Sequence, residues 1–155
     1  MKASKIIIIV FSSLVLGLLI YKVKNYIPPR TPIKIARIES NLDLSNDSRI
    51  IDFEENYSFT GEGYQYLVVK LDSNEFKHNI NECNQKNYKT LTIENLITDK
   101  FLDSDPSFGI TLLKKDIKTI KGYYQLHAND LSKLDFGISV LDTVNKELIV
   151  YRCFP

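Results

Sequence analysis

Residues 6–21, Ile-Ile-Ile-Ile-Val-Phe-Ser-Ser-Leu-Val-Leu-Gly-Leu-Leu-Ile-Tyr, carry no charge, and lysines stand on both sides at Lys2, Lys5, Lys22 and Lys24. A run of this kind cannot share in the surface of a water-facing domain, so the fold must be built by the residues C-terminal to it. As a helix it spans roughly 24 Å, a little under the ~30 Å hydrocarbon core of a bilayer. Snorkelling of Lys22 and Lys24 narrows that gap. Small residues suited to signal cleavage do not follow the run, and no cysteine offers a lipid anchor, so an uncleaved membrane anchor over 1–24 is expected, with the bilayer as partner of residues 6–21. Lysine counts on the two flanks nearly balance. The likeness of the leader to a signal peptide places the following domain outside. Pro28, Pro29 and Pro32 make 25–32 a stiff spacer.

Residues 33–155 are long enough for one domain with a core. The net charge of +1 conceals an asymmetry. Five basic residues and no acid lie in residues 1–30, leaving 15 basic against 19 acidic side chains beyond, net −4. A mildly acidic domain argues against a nucleic-acid partner, which requires a concentrated basic face.

Within the domain, Ile33-Lys34-Ile35-Ala36-Arg37-Ile38 alternates and reads as a strand, although Ile35, Ile38 and Leu42 also fit a helical face. Tyr64–Leu71 is apolar on both faces, as an interior strand is. Asp72, Ser73 and Asn74 are good caps for a helix to about Glu82 that turns Phe76 and Ile80 inward. A second short helix or turn follows, with Leu96, Ile97, Phe101 and Leu102 as core candidates. The spacing of Leu113, Ile117 and Ile120 predicts a helix ending at Gly122, with Lys114, Lys118 and Lys121 on its solvated side. Gly122–Leu126, Phe136–Leu141 and Glu147–Phe154 read as strands, the last two joined by a polar turn. The fold class expected is α+β: a transmembrane helix, then a small domain of antiparallel sheet with short helices on one face.

The segments Phe59-Thr60-Gly61-Glu62-Gly63, Gly122-Tyr123-Tyr124 and the 136–154 hairpin resemble a group of small, uncharacterised bacterial proteins, exported or membrane-anchored. These share a Phe-x-Gly-Asp/Glu-Gly strand start and a C-terminal Gly-Tyr-Tyr strand with an aliphatic hairpin. The resemblance covers about a third of the chain and implies a bacterial extracytoplasmic domain. It carries over no functional residue, and Thr60 stands where the group often has histidine.

Gly61-Glu62-Gly63 is the one stretch that suggests a phosphate loop. A dinucleotide fingerprint places its glycines after a strand and before a helix; here the strand follows, and an acid sits between the glycines. A turn is the expectation, with Glu62 displayed at a sheet edge. Asp43, Ser45, Asp47 and Glu54 match several positions of a twelve-residue calcium loop, against Ser48 where that loop needs glycine and a strand where it needs an exit helix. Cys83 and Cys153 invite a disulfide in an exported domain. With His78 and His127 they lack the paired spacing of a zinc site, and no cofactor motif occurs. One of Tyr123 and Tyr124 should point outward, and Tyr124 is the candidate contact residue. The functional expectation is a membrane-tethered extracytoplasmic binding or interaction domain, of a kind suited to immunity or exclusion and with a protein partner outside the membrane. The alternative is a ligand- or calcium-binding protein or an enzyme using the acids of residues 43–62.

Overall fold

Strands whose two faces are both apolar must lie inside a sheet that is covered twice, and this requirement organises the domain. The computed structural model describes residues 12–13, 15–17, 20–21, 31–59, 62–101, 114–130 and 135–154. Helix α1 (Pro32–Ser40) opens the domain, followed by β1 (Arg49–Tyr57), β2 (Gly63–Lys70), α2 (Ser73–Gln85), β3 (Lys89–Thr90), α3 (Ile93–Thr98), β4 (Gly122–Asp130), β5 (Asp135–Asp142) and β6 (Glu147–Phe154). The six strands form one antiparallel sheet in the order β1-β2-β6-β5-β4-β3. The α+β expectation holds, and β2, β5 and β6 fall where the sequence predicts them.

Successive residues of these strands feed opposite layers. Leu67 and Val69 of β2, Leu148 and Val150 of β6 and Leu141 of β5 pack beneath α1 and α2, against Ile33, Ala36 and Cys83. Tyr66 and Val68, Ile149 and Tyr151, and Phe136, Ile138 and Val140 face the other way, against Leu96, Phe101, Ile117 and Ile120. Helices therefore lie on both faces, a correction to the one-faced arrangement expected. The cause is the two-sided apolarity of the central strands, where each fully buried aliphatic side chain contributes about 1.5–3 kcal/mol.

Three local expectations are also corrected. Residues 33–38 are helical: Thr31 caps Lys34 N at 3.4 Å, Pro32 occupies the first turn, and Ile33, Ile35, Ala36 and Ser40 are buried. The second half of the twelve-residue loop expected over 43–54 is instead extended: residues 49–57 form edge strand β1, whose register slips between Ile50 and Asp52 and so breaks the alternation that would reveal it. Residues 114–120 form turns rather than a helix. Lys114 takes φ 50°, and Asp116 draws Lys118 N to its side chain at 2.9 Å, which competes with helical pairing. Ile117 and Ile120 are nonetheless buried, whereas Ile97 is exposed. Leu102 and Leu113 lie outside the described residues, as does most of the leader. Its described positions are helical and exposed, and no helix among the described residues is long and apolar enough to cross a membrane.

Asp72 accepts from Asn74 N and Glu75 N at 2.7 and 2.9 Å, the predicted cap of α2. The β5–β6 turn is closed by the fully buried Asp142, which accepts from Val144 N at 2.9 Å and from Asn145 Nδ2 at 2.8 Å.

Candidate functional site

At one end of the face covered by α1 and α2 the apolar rows give way to polar residues. Sheet register places Glu55, Gln65, Arg152, Gly137 and His127 side by side across β1, β2, β6, β5 and β4. Arg152 Nη2 donates to Asp135 Oδ1 at 2.6 Å and the guanidinium lies 5.3 Å from the Phe154 ring centroid. Gln65, 6% exposed, donates to Glu55 Oε1 at 2.5 Å. Glycine at 137 makes this row possible. A Cβ there would stand 3.2 Å from both Arg152 Cδ and Glu39 Oε2, so the missing side chain leaves room for an arginine from the neighbouring strand and a carboxylate from α1.

One row nearer the core, Gln125 and Ser139 are register partners. Ser139 Oγ donates to Glu39 O at 3.0 Å, Gln125 Nε2 to Lys86 O at 3.0 Å, and Tyr88 OH to Ser40 O at 2.7 Å. The ends of α1 and α2 thus meet the sheet through the carbonyls of Glu39 and Lys86, and the Ser40 carbonyl is held by Tyr88, just before β3. Burial pushes the Tyr88 hydroxyl well above the usual tyrosine range. Burial, reinforced by Arg152, holds the His127 imidazole below its ordinary value and keeps it neutral at physiological pH. Two buried atoms of this region, Gln125 Oε1 and His127 Nε2, have no hydrogen-bond partner among the described residues. Orphaned groups of this kind are uncommon in a folded protein. They make this end of the sheet the candidate binding site.

The residues singled out from sequence are distributed differently. Asp43, Ser45 and Asp47 lie in a loop that straps α2: Asp43 N donates to Glu82 Oε2 at 2.9 Å and Ser45 N to Glu75 Oε1 at 2.7 Å. Asp47 lines a notch of about 240 Å³ whose wall includes Arg49 and Lys70. Glu54 stands roughly 15 Å further along β1 at ~3.3 Å per residue, and it is ion-paired with Lys114. The four are not brought together, and no group of three or more His, Cys, Asp or Glu able to hold a metal occurs among the described residues. Cys83 packs under the helices and Cys153 against the opposite layer, both as free thiols. A disulfide would have to pass through the sheet, so that expectation is overturned.

Tyr124 is fully buried rather than outward-facing, and its hydroxyl donates to Asp99. The reason is parity: Tyr124 shares a face with Phe136 and Val140, while Tyr123 points to the other layer. Glu62 is exposed in the β1–β2 connection, where its carbonyl accepts from Ser58 N at 2.7 Å. This is turn geometry. Gly63 is required because a Cβ would lie 1.9 Å from Asn56 O. Thr60 and Gly61 lie outside the described residues.

Sequence reading passed over Arg152, Gln65, Gly137 and Asp135. A signal was present for two of them: Gln65 and Arg152 occupy inward positions whose same-face neighbours along the strand are Leu67 and Val150.

Comparison with protein-family models, with curated proteins and with solved structures found no match.

Proposed function

We propose that the chain is a membrane-tethered binding domain facing the outside of the cell, of immunity or exclusion type, with a partner protein rather than a reaction as its business. The observation that carries the reading is the uncharged run 6–21 between paired lysines, joined by a short proline spacer to Thr31, the cap of the first helix of the domain. A spacer this short keeps the domain close to the bilayer, at most about 3.5 Å per residue away. The described leader residues support it: Leu16, Ile20 and Tyr21 are more than half exposed, so they are not part of the domain's core. The polar end of the face covered by α1 and α2 supplies the binding chemistry, with donors and acceptors on a rigid sheet.

Topology decides the matter. Val144, 59% exposed on the β5–β6 turn, is replaced by cysteine in a Cys153→Ser background. Intact cells are then treated with a membrane-impermeant maleimide. Labelling of intact cells is the expected result. Labelling only after lysis overturns the outward-facing reading.

A further inference from the structure

The two edges of the sheet are finished differently. The outer edge of β1 carries a bulge at Ile51 and the acids Asp52, Glu54 and Glu55, devices that discourage a further strand. On the other side, β3 covers β4 only at Tyr123 and Tyr124, although β4 continues to Asp130. Just before β3, Asn87 adopts φ 58° and ends the extended pairing. A notch of about 160 Å³ lies at that point, lined by Asn87, Lys89, Asp99, Tyr124, Gln125 and Leu126.

Ladder parity tells which groups face this edge. Leu91 N donates to Gly122 O, and Lys89 sits opposite Tyr124, so even-numbered residues of β4 turn their N–H and C=O toward β3 and odd-numbered residues turn theirs toward β5. Leu126 and Ala128 therefore present backbone donors and acceptors to an edge that no described strand occupies. The stretch Gln125–Ala128 has no charge, no proline and no bulge, the register shift coming only between Ala128 and Asp130. On the same strand lie the two orphaned atoms Gln125 Oε1 and His127 Nε2, both on the face covered by α1 and α2, which Tyr123 also faces.

We propose that an extended peptide adds to β4 at Leu126–Ala128 and turns a carboxamide or hydroxyl side chain toward Gln125 and His127. The residues flanking the one opposite Leu126 stand on the face of Gln125 and His127. Carboxamide and hydroxyl groups both donate and accept, so they satisfy Gln125 Oε1 and either tautomer of His127. Main-chain pairing supplies affinity and the alternate side chains supply selectivity, as in other strand-addition sites. The inference names the partner of the proposed binding role and is independent of which side of the membrane the domain faces.

The test uses the full chain in detergent micelles, followed by hydrogen–deuterium exchange of the β4 amides. The probe is acetyl-Lys-Thr-Val-Asn-Val-Thr-Lys-amide at millimolar concentration, compared with the same peptide N-methylated at alternate residues. In the free chain, Leu126 should exchange at least about tenfold faster than Gln125 and His127. The unmethylated peptide should slow Leu126 about tenfold and the methylated one should not. A Gln125→Leu variant should weaken the effect several-fold; it also loses the Gln125 Nε2–Lys86 O bond, so its melting temperature should fall, and the exchange is read well below that temperature, where the variant is folded. A Leu126 amide already as slow as His127 in the free chain overturns the proposal, because the chain then covers its own edge. So does protection that rises with protein concentration alone, which would make the occupant a second copy. Protection confined to β1, or equal protection by the methylated peptide, also overturns it. A negative maleimide result refutes the outward topology and leaves this measurement intact, so the two readings fail separately.

Discussion

Tyr124 donates its hydroxyl to Asp99 Oδ2 at 2.7 Å, and Lys89 holds the same carboxylate at 2.6 and 2.7 Å. One acid after α3 thus ties the short strand β3 to the buried face of β4. The Lys89 and Tyr124 hydrogen bonds hold the Asp99 carboxyl below its usual range. Tyr124→Phe should lower stability by about 1.5–3 kcal/mol, as expected for a hydrogen bond to a charged group. Asp99→Asn should cost at least as much, because it removes the charge that Lys89 and Tyr124 both use. Since the folded value lies below the unfolded one, the contribution is complete above ~pH 4 and is lost as pH falls through the folded value. Urea unfolding of parent and variants between pH 2 and 7 checks both magnitude and direction; an unchanged acid limb in the Asp99 variant would refute the assignment.

The two thiols should behave as strangers. Burial pushes Cys83 up to about 12, so it stays protonated and unreactive in the folded chain. Cys153 is only half-buried. Mass analysis under non-reducing conditions should find two free thiols, and reductant should leave the melting temperature unchanged. Thiol reagents should modify Cys153 first, and Cys83 only upon unfolding. Equal rates for the two in the native chain would contradict the placement of Cys83 beneath the helices.

The fold was legible in sequence where one element carried several agreeing signals. Strands β5 and β6 combine two apolar faces with a polar turn of hairpin length, and α2 combines Asp72 with Phe76 and Ile80 at helical spacing. Where signals conflicted, reading failed. Ile33 and Ile35 imitate a strand, yet they are buried together with Ala36 and Ser40 on a helix, and the Ile51 bulge hides β1 among acids. The candidate site was far less legible. Gln65, Gly137, His127 and Arg152 come from four strands scattered over some ninety residues of chain and meet only through the register, which a single sequence does not state. Disulfide and contact expectations failed for a related reason, since each depends on which face of the sheet a residue occupies.

Two glycines should respond unequally to a single methyl group. At Gly63 the added Cβ would lie 1.9 Å from the Asn56 carbonyl oxygen, a backbone atom fixed by pairing across the β1–β2 hairpin. At Gly137 its neighbours would be the side chains of Arg152 and Glu39, each at 3.2 Å and each able to swing away. Gly63→Ala should therefore destabilise by about 3 kcal/mol or more, or prevent folding, whereas Gly137→Ala should cost about 1–2 kcal/mol. Gly137→Ala should also loosen the Arg152–Asp135 pair. Chemical denaturation of the two variants checks the order, and a Gly137 variant less stable than the Gly63 variant would show that the arginine is fixed rather than adaptable.

His127 should make the domain sensitive to mild acid. Burial first, and the positive charge of Arg152 second, hold its imidazole below the ordinary value near ~6.5. The unfolded chain therefore takes up this proton at a higher pH than the folded chain does. Stability is complete above the unfolded value and declines as pH falls below it, levelling off only once the folded value is passed. Arg152, across Gly137 in the same row, opposes protonation of the ring, and Arg152 itself is paired with Asp135. Replacing His127 with glutamine should remove the slope of unfolding free energy that sets in as pH falls below the ordinary imidazole value of about 6.5, while leaving the acid limb due to Asp99 in place. Replacing Arg152 with methionine should raise the His127 titration, read directly from its ring proton resonances, and flatten the same slope. If the His127 resonances titrate at or above the ordinary value in the parent protein, the imidazole is not buried beside Arg152 and the polar row does not form in this register.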